Sequence, residues 1–192
     1  MLVVSLGDLV LDVIVRLRQP LAADADATSE ITLTTGGQAA NVAAWVAALG
    51  GRARWVGRRS DDLQGRMAAA RLDELEVELC GPVTPAGGGV IVSLVDPDGG
   101  RTMCPDRGVA TELRASDLEA DWFACDHLHV SGYALLAEPV REAAVHALRL
   151  ARDAGARTSV DLSSWSAIRD RGPAAFRDLL TSLAPDVVFA NE

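Results

Sequence analysis

Leu2-Val3-Val4-Ser5-Leu6 is a near-continuous apolar run that stops at Gly7-Asp8. A strand that alternates polar and apolar residues can leave one face in water. A strand without that alternation has to be covered on both faces, as in a parallel sheet flanked by helices. The rest of the chain continues the theme. Residues 53–57, 127–130, 157–162 and 187–190 are further short strand-like runs, and helical stretches at 38–49, 63–75, 138–153 and 173–183 fall among them. In the first of these helices Val42, Trp45, Val46 and Leu49 recur at i, i+3, i+4 and i+7, and Gly50-Gly51 supplies its C-terminal stop. Strands alternating with helices predict an α/β fold with a doubly wound, mostly parallel sheet.

Two stretches break the alternation. Leu11–Arg18 is followed by a polar loop and a second strand at Glu30–Thr35, and Val90–Val95 turns at Asp96-Pro97-Asp98-Gly99-Gly100 into Arg101-Thr102-Met103. No helix separates the members of either pair, so each is expected to be a hairpin. Two such excursions, at about residues 11–35 and 88–105, are expected to pair into a small lid sheet on a single domain spanning 1–192. Val13, Val15, Val90, Val92 and Leu94 are expected on its buried face or at a contact with a second copy, because an uncovered apolar sheet is normally covered.

Charge and composition exclude several functions. The formal net charge is −9, which argues against a nucleic-acid surface. All 18 basic residues are arginine; without lysine there is neither a Schiff base nor a phosphate loop ending in Gly-Lys-Ser/Thr. No Gly-x-Gly-x-x-Gly follows the first strand, which argues against a dinucleotide-dependent oxidoreductase. No run approaches the roughly 18 apolar residues of a membrane span. The N-terminus lacks a basic leader, and three widely spaced cysteines suggest neither a disulfide framework nor a metal knuckle, so a cytoplasmic protein is expected.

The chemistry is concentrated at Gly36-Gly37-Gln38-Ala39-Ala40-Asn41, where a strand gives way to an alanine-rich helix. Bare glycines allow close backbone approach, a helix start offers unpaired N–H groups, and an asparagine adds a donor and an acceptor. That set suits a polyhydroxylated small molecule, although the same residues also describe a plain turn. Asp61-Asp62 is expected to supply a helix N-cap with an exposed neighbour. His127 and His129 stand at i and i+2 on one strand face, as a packed pair rather than a metal site, with Cys125 in the core. Asp161 ends a strand, where either a functional group or a local cap would stand.

In order, Gly7-Asp8 with Asp12, Gly36-Gly37-x-x-x-Asn41, Val56-Gly57-Arg58-x-x-Asp61-Asp62-x-x-Gly65, Val95-Asp96-Pro97-Asp98-Gly99-x-Arg101-Thr102, Asp106-Arg107-Gly108, Ser131-Gly132-Tyr133 and Phe189-Ala190-Asn191-Glu192 resemble the ribokinase, or PfkB, family of carbohydrate kinases. The resemblance implies a ribokinase-like fold in which a sugar lies at the carboxyl ends of the strands beneath the lid and ATP phosphorylates one of its hydroxyls. It implies that Asp12 accepts hydrogen bonds from the sugar, that Gly36 and Gly37 present backbone to it, and that Asn41 binds a further hydroxyl. Arg107 falls where members acting on acidic sugars carry an arginine, but many neutral-sugar kinases carry one too, so the substrate stays open.

The family's late Gly-Ala-Gly-Asp motif, whose glycines hold the transferred phosphate and whose aspartate is the general base, is missing from these 192 residues. Asn191 matches the first position of an Asn-x-x-Glu element associated with Mg²⁺ and phosphate. The resemblance therefore implies the substrate-binding N-terminal part of an ATP- and Mg²⁺-dependent sugar kinase, with no catalytic residue in this chain and no turnover by it alone. The alternative is a non-catalytic sugar-binding or regulatory remnant of such a kinase.

Overall fold

The computed structural model describes residues 1–190; Asn191 lies outside the described residues. From the N-terminus the chain forms β1 (Leu2–Leu6), β2 (Val10–Leu17), β3 (Ser29–Gly36), α1 (Gln38–Ala48), β4 (Arg52–Val56) and the two-residue β5 (Arg59–Ser60). It continues through α2 (Leu63–Glu74), β6 (Glu78–Cys80), β7 (Val83–Thr84), β8 (Val90–Val95) and β9 (Arg101–Asp106). After three short 3₁₀ turns come β10 (His127–Val130), α3 (Val140–Asp153), β11 (Arg157–Asp161), α4 (Trp165–Arg171), α5 (Pro173–Leu183) and β12 (Val187–Phe189).

The main sheet has the order β12-β11-β10-β1-β4-β6, and every neighbouring pair in it is parallel. The uninterrupted β1 run sits at its centre, as its composition demands, between β10 and β4. Two apolar clusters cover it. On one side Leu6, Leu128, Val130 and Val160 pack with α3 through Ala144, Ala147 and Leu148 and with Phe123 and Phe176. On the other, Trp55, Leu72 and Val77 pack with the alanines of α1 and α2.

The second sheet has the order β3-β2-β8-β9. Each hairpin is antiparallel, and β2 pairs with β8 in parallel, so two excursions far apart in sequence make one surface. Register sets Val13 opposite Leu33 and Val92, and Val15 opposite Ile31 and Leu94. Because strand side chains alternate, these six share the face opposite Asp12. Ile31 and Leu33 are exposed, and Val13, Val15, Val90, Val92 and Leu94 are half-buried.

Helix α1 departs from its sequence pattern. It packs through Ala39, Ala40 and Ala43, while Trp45 and Leu49 are 68% and 81% exposed. The cause is proximity: the Ser5 hydroxyl of β1 donates to the Ala39 carbonyl at 2.8 Å, and only small side chains fit between backbones that close. Strands β5, β6 and β7 and helix α4 have no counterpart in the sequence pattern, being too short to show a period. Among the described residues no helix is long and apolar enough to cross a membrane.

Candidate functional site

The loop after β1 and the β3–α1 junction meet at the carboxyl end of the main sheet. Gly37 has φ +97°, a left-handed conformation that favours glycine, and a Cβ there would strike the Asp8 carbonyl oxygen. Gly36 needs to be bare for a different reason: a Cβ on it would fall on the Asp12 carboxylate, well inside contact distance. The glycine pair is thus the surface against which both aspartates lie. Helix α1 begins at once, without a side-chain cap and with no acidic residue in its first turn, so its positive end faces the same region. One turn in, Asn41 donates its backbone N–H to Gly37 at 2.9 Å and exposes its side chain.

Asp8, 5% exposed, forms an ion pair with Arg107 across 99 residues of sequence. The Arg107 guanidinium carbon lies over the Tyr133 ring, 3.7 Å from its centroid, in a cation–π contact. Gly89 leaves room for this segment: a Cβ on it would lie 2.7 Å from the Arg107 carbonyl oxygen. Oδ1 of Asp8 and Oδ1 of Asp12 are both buried and have no hydrogen-bond partner among the described residues. Burial pushes the Asp12 carboxyl above its ordinary value; Arg101 opposes this, Asp8 adds to it, and Arg107 opposes it more weakly. Buried acceptors without donors are costly unless something supplies an N–H or O–H.

The structure brings Asp12, Gly36 and Gly37 together with Asp8 and Arg107, and sets Asn41 one helical turn away. Arg107 is an ion-paired arginine rather than a free surface one. Three participants had no assignment from sequence. Asp8 and Tyr133 stood inside recognisable motifs, but their link to Arg107 spans too much chain to be read. Arg101 acts on Asp12 only because β9 folds back beside β8.

Asp62 does cap α2, accepting from Gly65 N–H at 2.8 Å, and also accepts from Gly88 N–H at 2.9 Å, which pins the glycine loop leading into β8. Both bonds hold its carboxyl below the usual range. Asp161 makes a local turn by accepting from Ser163 N–H at 2.6 Å, and Cys125 is a half-buried residue at the edge of the larger cluster. His129 bonds Ser159 through Nδ1 at 2.9 Å and Gln38 through Nε2 at 3.3 Å, and Ser159 bonds His127 Nε2 at 2.7 Å. If Gln38 donates to His129, His129 to Ser159 and Ser159 to His127, each of these contacts has one donor and one acceptor with both imidazoles neutral, while Gln38 Oε1 is buried with no partner among the described residues. Burial, reinforced by His127, pushes His129 down to about 4.

Among the described residues no cluster of three His, Cys, Asp or Glu could hold a metal ion. The sequence contains no lysine and no Gly-Ala-Gly-Asp, so neither of those phosphate-holding groups is among its residues. Unpartnered carboxylate oxygens beside an uncapped helix start are chemistry suited to hydroxyl groups.

The model of the pfkB family carbohydrate kinases matches residues 1–192. Fructokinase-1 of Oryza sativa subsp. japonica is 34% identical over 165 residues, covering 83% of this chain and 50% of that protein, so the chain spans about half the length of the curated relatives it matches. Among solved structures, a probable sugar kinase protein from Rhizobium etli CFN 42 superposes with TM-score 0.84 at 27% identity, covering 98% of this chain and 64% of that one. The adenosine kinase from Sinorhizobium meliloti does so with TM-score 0.83 at 26% identity and the same coverage.

Proposed function

The chain belongs to the pfkB family of carbohydrate kinases, and on that premise we propose that it supplies the sugar-binding part of an ATP-dependent phosphorylation of a sugar hydroxyl. The observation that carries this reading is the pair of buried, unpartnered carboxylate oxygens of Asp8 and Asp12 set against bare glycines at a helix start. Asp12 accepts from sugar hydroxyls, the backbone at Gly36 and Gly37 comes close to the ring, and Asn41 binds a further hydroxyl. Arg107 acts from behind Asp8. The second sheet covers the ligand as a lid, in one domain of which residues 1–192 are the N-terminal portion.

ATP and Mg²⁺ are the implied partners of the complete reaction. When bound, ATP supplies the transferred phosphoryl group; Asn191 is the residue here proposed near phosphate and Mg²⁺. Lacking a general base and an anion hole, whose combined loss costs at least about 10⁴-fold, this chain alone transfers no phosphate. The test pairs calorimetric titration of the chain with a panel of ketoses, aldoses, polyols and adenosine against sugar-dependent ATP turnover. Binding without turnover fits the proposal. No binding overturns the sugar pocket, and turnover matching that of a version extended through Gly-Ala-Gly-Asp overturns the assignment of catalysis to other residues.

The apolar face of the second sheet, with Ile31 62% and Leu33 48% exposed, supports a homodimer formed lid to lid. A monomer at high concentration in light scattering overturns that part alone. A cytoplasmic setting belongs to the same proposal, supported by three free thiols at Cys80, Cys104 and Cys125.

A further inference from the structure

We propose that Asp8 sets the charge selectivity of the sugar site: by holding Arg107 in an ion pair, it makes the pocket prefer an uncharged polyhydroxylated substrate to one bearing a carboxylate. This rests on the sugar-pocket reading above. An arginine beside a ligand site is ordinarily a carboxylate receptor, because its planar fork matches two oxygens and its charge is permanent. Here both properties are already committed. One nitrogen of the guanidinium is paired with Asp8, its carbon lies over the Tyr133 ring, and the side chain is only 21% exposed. Gly7, Ala110 and Thr111 close in beside the pair, so the guanidinium is hemmed in.

The charge count points the same way. Asp8 and Asp12 contribute two negative charges, Arg107 and Arg101 two positive ones, and Asp12 responds to all three of the others. A neutral ligand leaves that balance untouched, and its hydroxyls are the donors that the two buried carboxylate oxygens lack. A carboxylate ligand brings acceptors where donors are wanted and adds an unbalanced charge. Asp8, rather than Arg107, is then the residue that decides.

The experiment is titration calorimetry on the 192-residue chain with fructose, glucose and glucitol as neutral probes and gluconate as the anionic one. The parent should bind its best neutral probe at least about tenfold tighter than gluconate, as one uncompensated charge at close range would produce. Asp8→Asn, which frees the guanidinium, should narrow that ratio by about tenfold or more, and Asp8→Asn combined with Arg107→Gln should restore it. If Asp8→Asn does not fold, Arg107→Gln alone serves: it leaves Asp8 unbalanced and should widen the preference. Gluconate bound as tightly as the neutral probes by the parent, an unchanged ratio in folded Asp8→Asn, or no widening in Arg107→Gln overturns this inference while leaving the sugar pocket standing. Binding of no probe overturns the pocket and this inference with it.

Discussion

The Asp12 carboxylate occupies the volume that a Cβ on Gly36 would need. Because the obstacle is the end of a side chain, Gly36→Ala should be accommodated by turning Asp12 aside, keeping the fold and weakening sugar binding by about tenfold or more, the worth of one to two charge-assisted hydrogen bonds. Gly37→Ala meets backbone at Asp8 from a φ of +97° and should instead lower stability by about 1–3 kcal/mol. Thermal melts and titrations on the two variants distinguish these outcomes; a Gly36→Ala protein with parental affinity removes Asp12 from the pocket.

Asn41 is exposed and sits in the first turn of α1. Asn41→Ala should cost about 1–3 kcal/mol of sugar affinity and leave stability within about 0.5 kcal/mol. Unchanged affinity in a folded variant would take this residue out of the ligand's contacts.

His129 should make the protein acid-labile in a defined window. Folding holds it neutral down to about 4, whereas an unfolded histidine takes up a proton below its ordinary 6.5. The unfolded state therefore binds more protons between those values: stability is fully present above pH 6.5 and falls as pH drops toward 4, by about 3 kcal/mol in all and about 2 by pH 5. His127, also lowered by its burial, adds in the same direction. Urea unfolding at pH 7 and pH 5 measures the effect, and a His129→Gln protein as steeply pH-dependent as its parent contradicts it.

Asp62→Ala removes a helix cap and the hold on Gly88 together, and should cost about 1–2 kcal/mol. The depressed carboxyl contributes above its ordinary pKa of 3.8 and loses that contribution as pH falls through the folded value. Hydrogen exchange should speed at Gly88 as well as in the first turn of α2; faster exchange confined to the helix would show that the loop is held by other means.

Element type was legible wherever the chemistry was periodic or punctuated. The apolar β1, the glycine-stopped α1 and the Asp96–Gly100 turn all declared themselves, and both hairpins could be told from helical crossovers. The packed face of α1 could not, because Val42, Trp45, Val46 and Leu49 form the more hydrophobic stripe, yet the backbone approach at Ser5 admits only alanine. In the site, Gly36, Gly37 and Asn41 lie at a strand-to-helix transition that a sequence displays, and Asp12 is an acidic residue interrupting the apolar β2. Asp8–Arg107–Tyr133 is a contact among three separate segments, with no local pattern to mark it.

The parallel ladder between β2 and β8 turns two hairpins into one plate, rooted in the main body at Gly36-Gly37 and at the glycine loop 87–89. The eight residues of β2 give that plate a reach of about 26 Å. Rotation by about 10° at the glycine roots would carry its far end by about 5 Å, the order of a sugar ring's width, while barely displacing Asp12 near the pivot. Under the proposed function, leverage of this kind would put entry and exit of the sugar under the control of a few backbone torsions, with Asp12 moved far less than the rim of the plate.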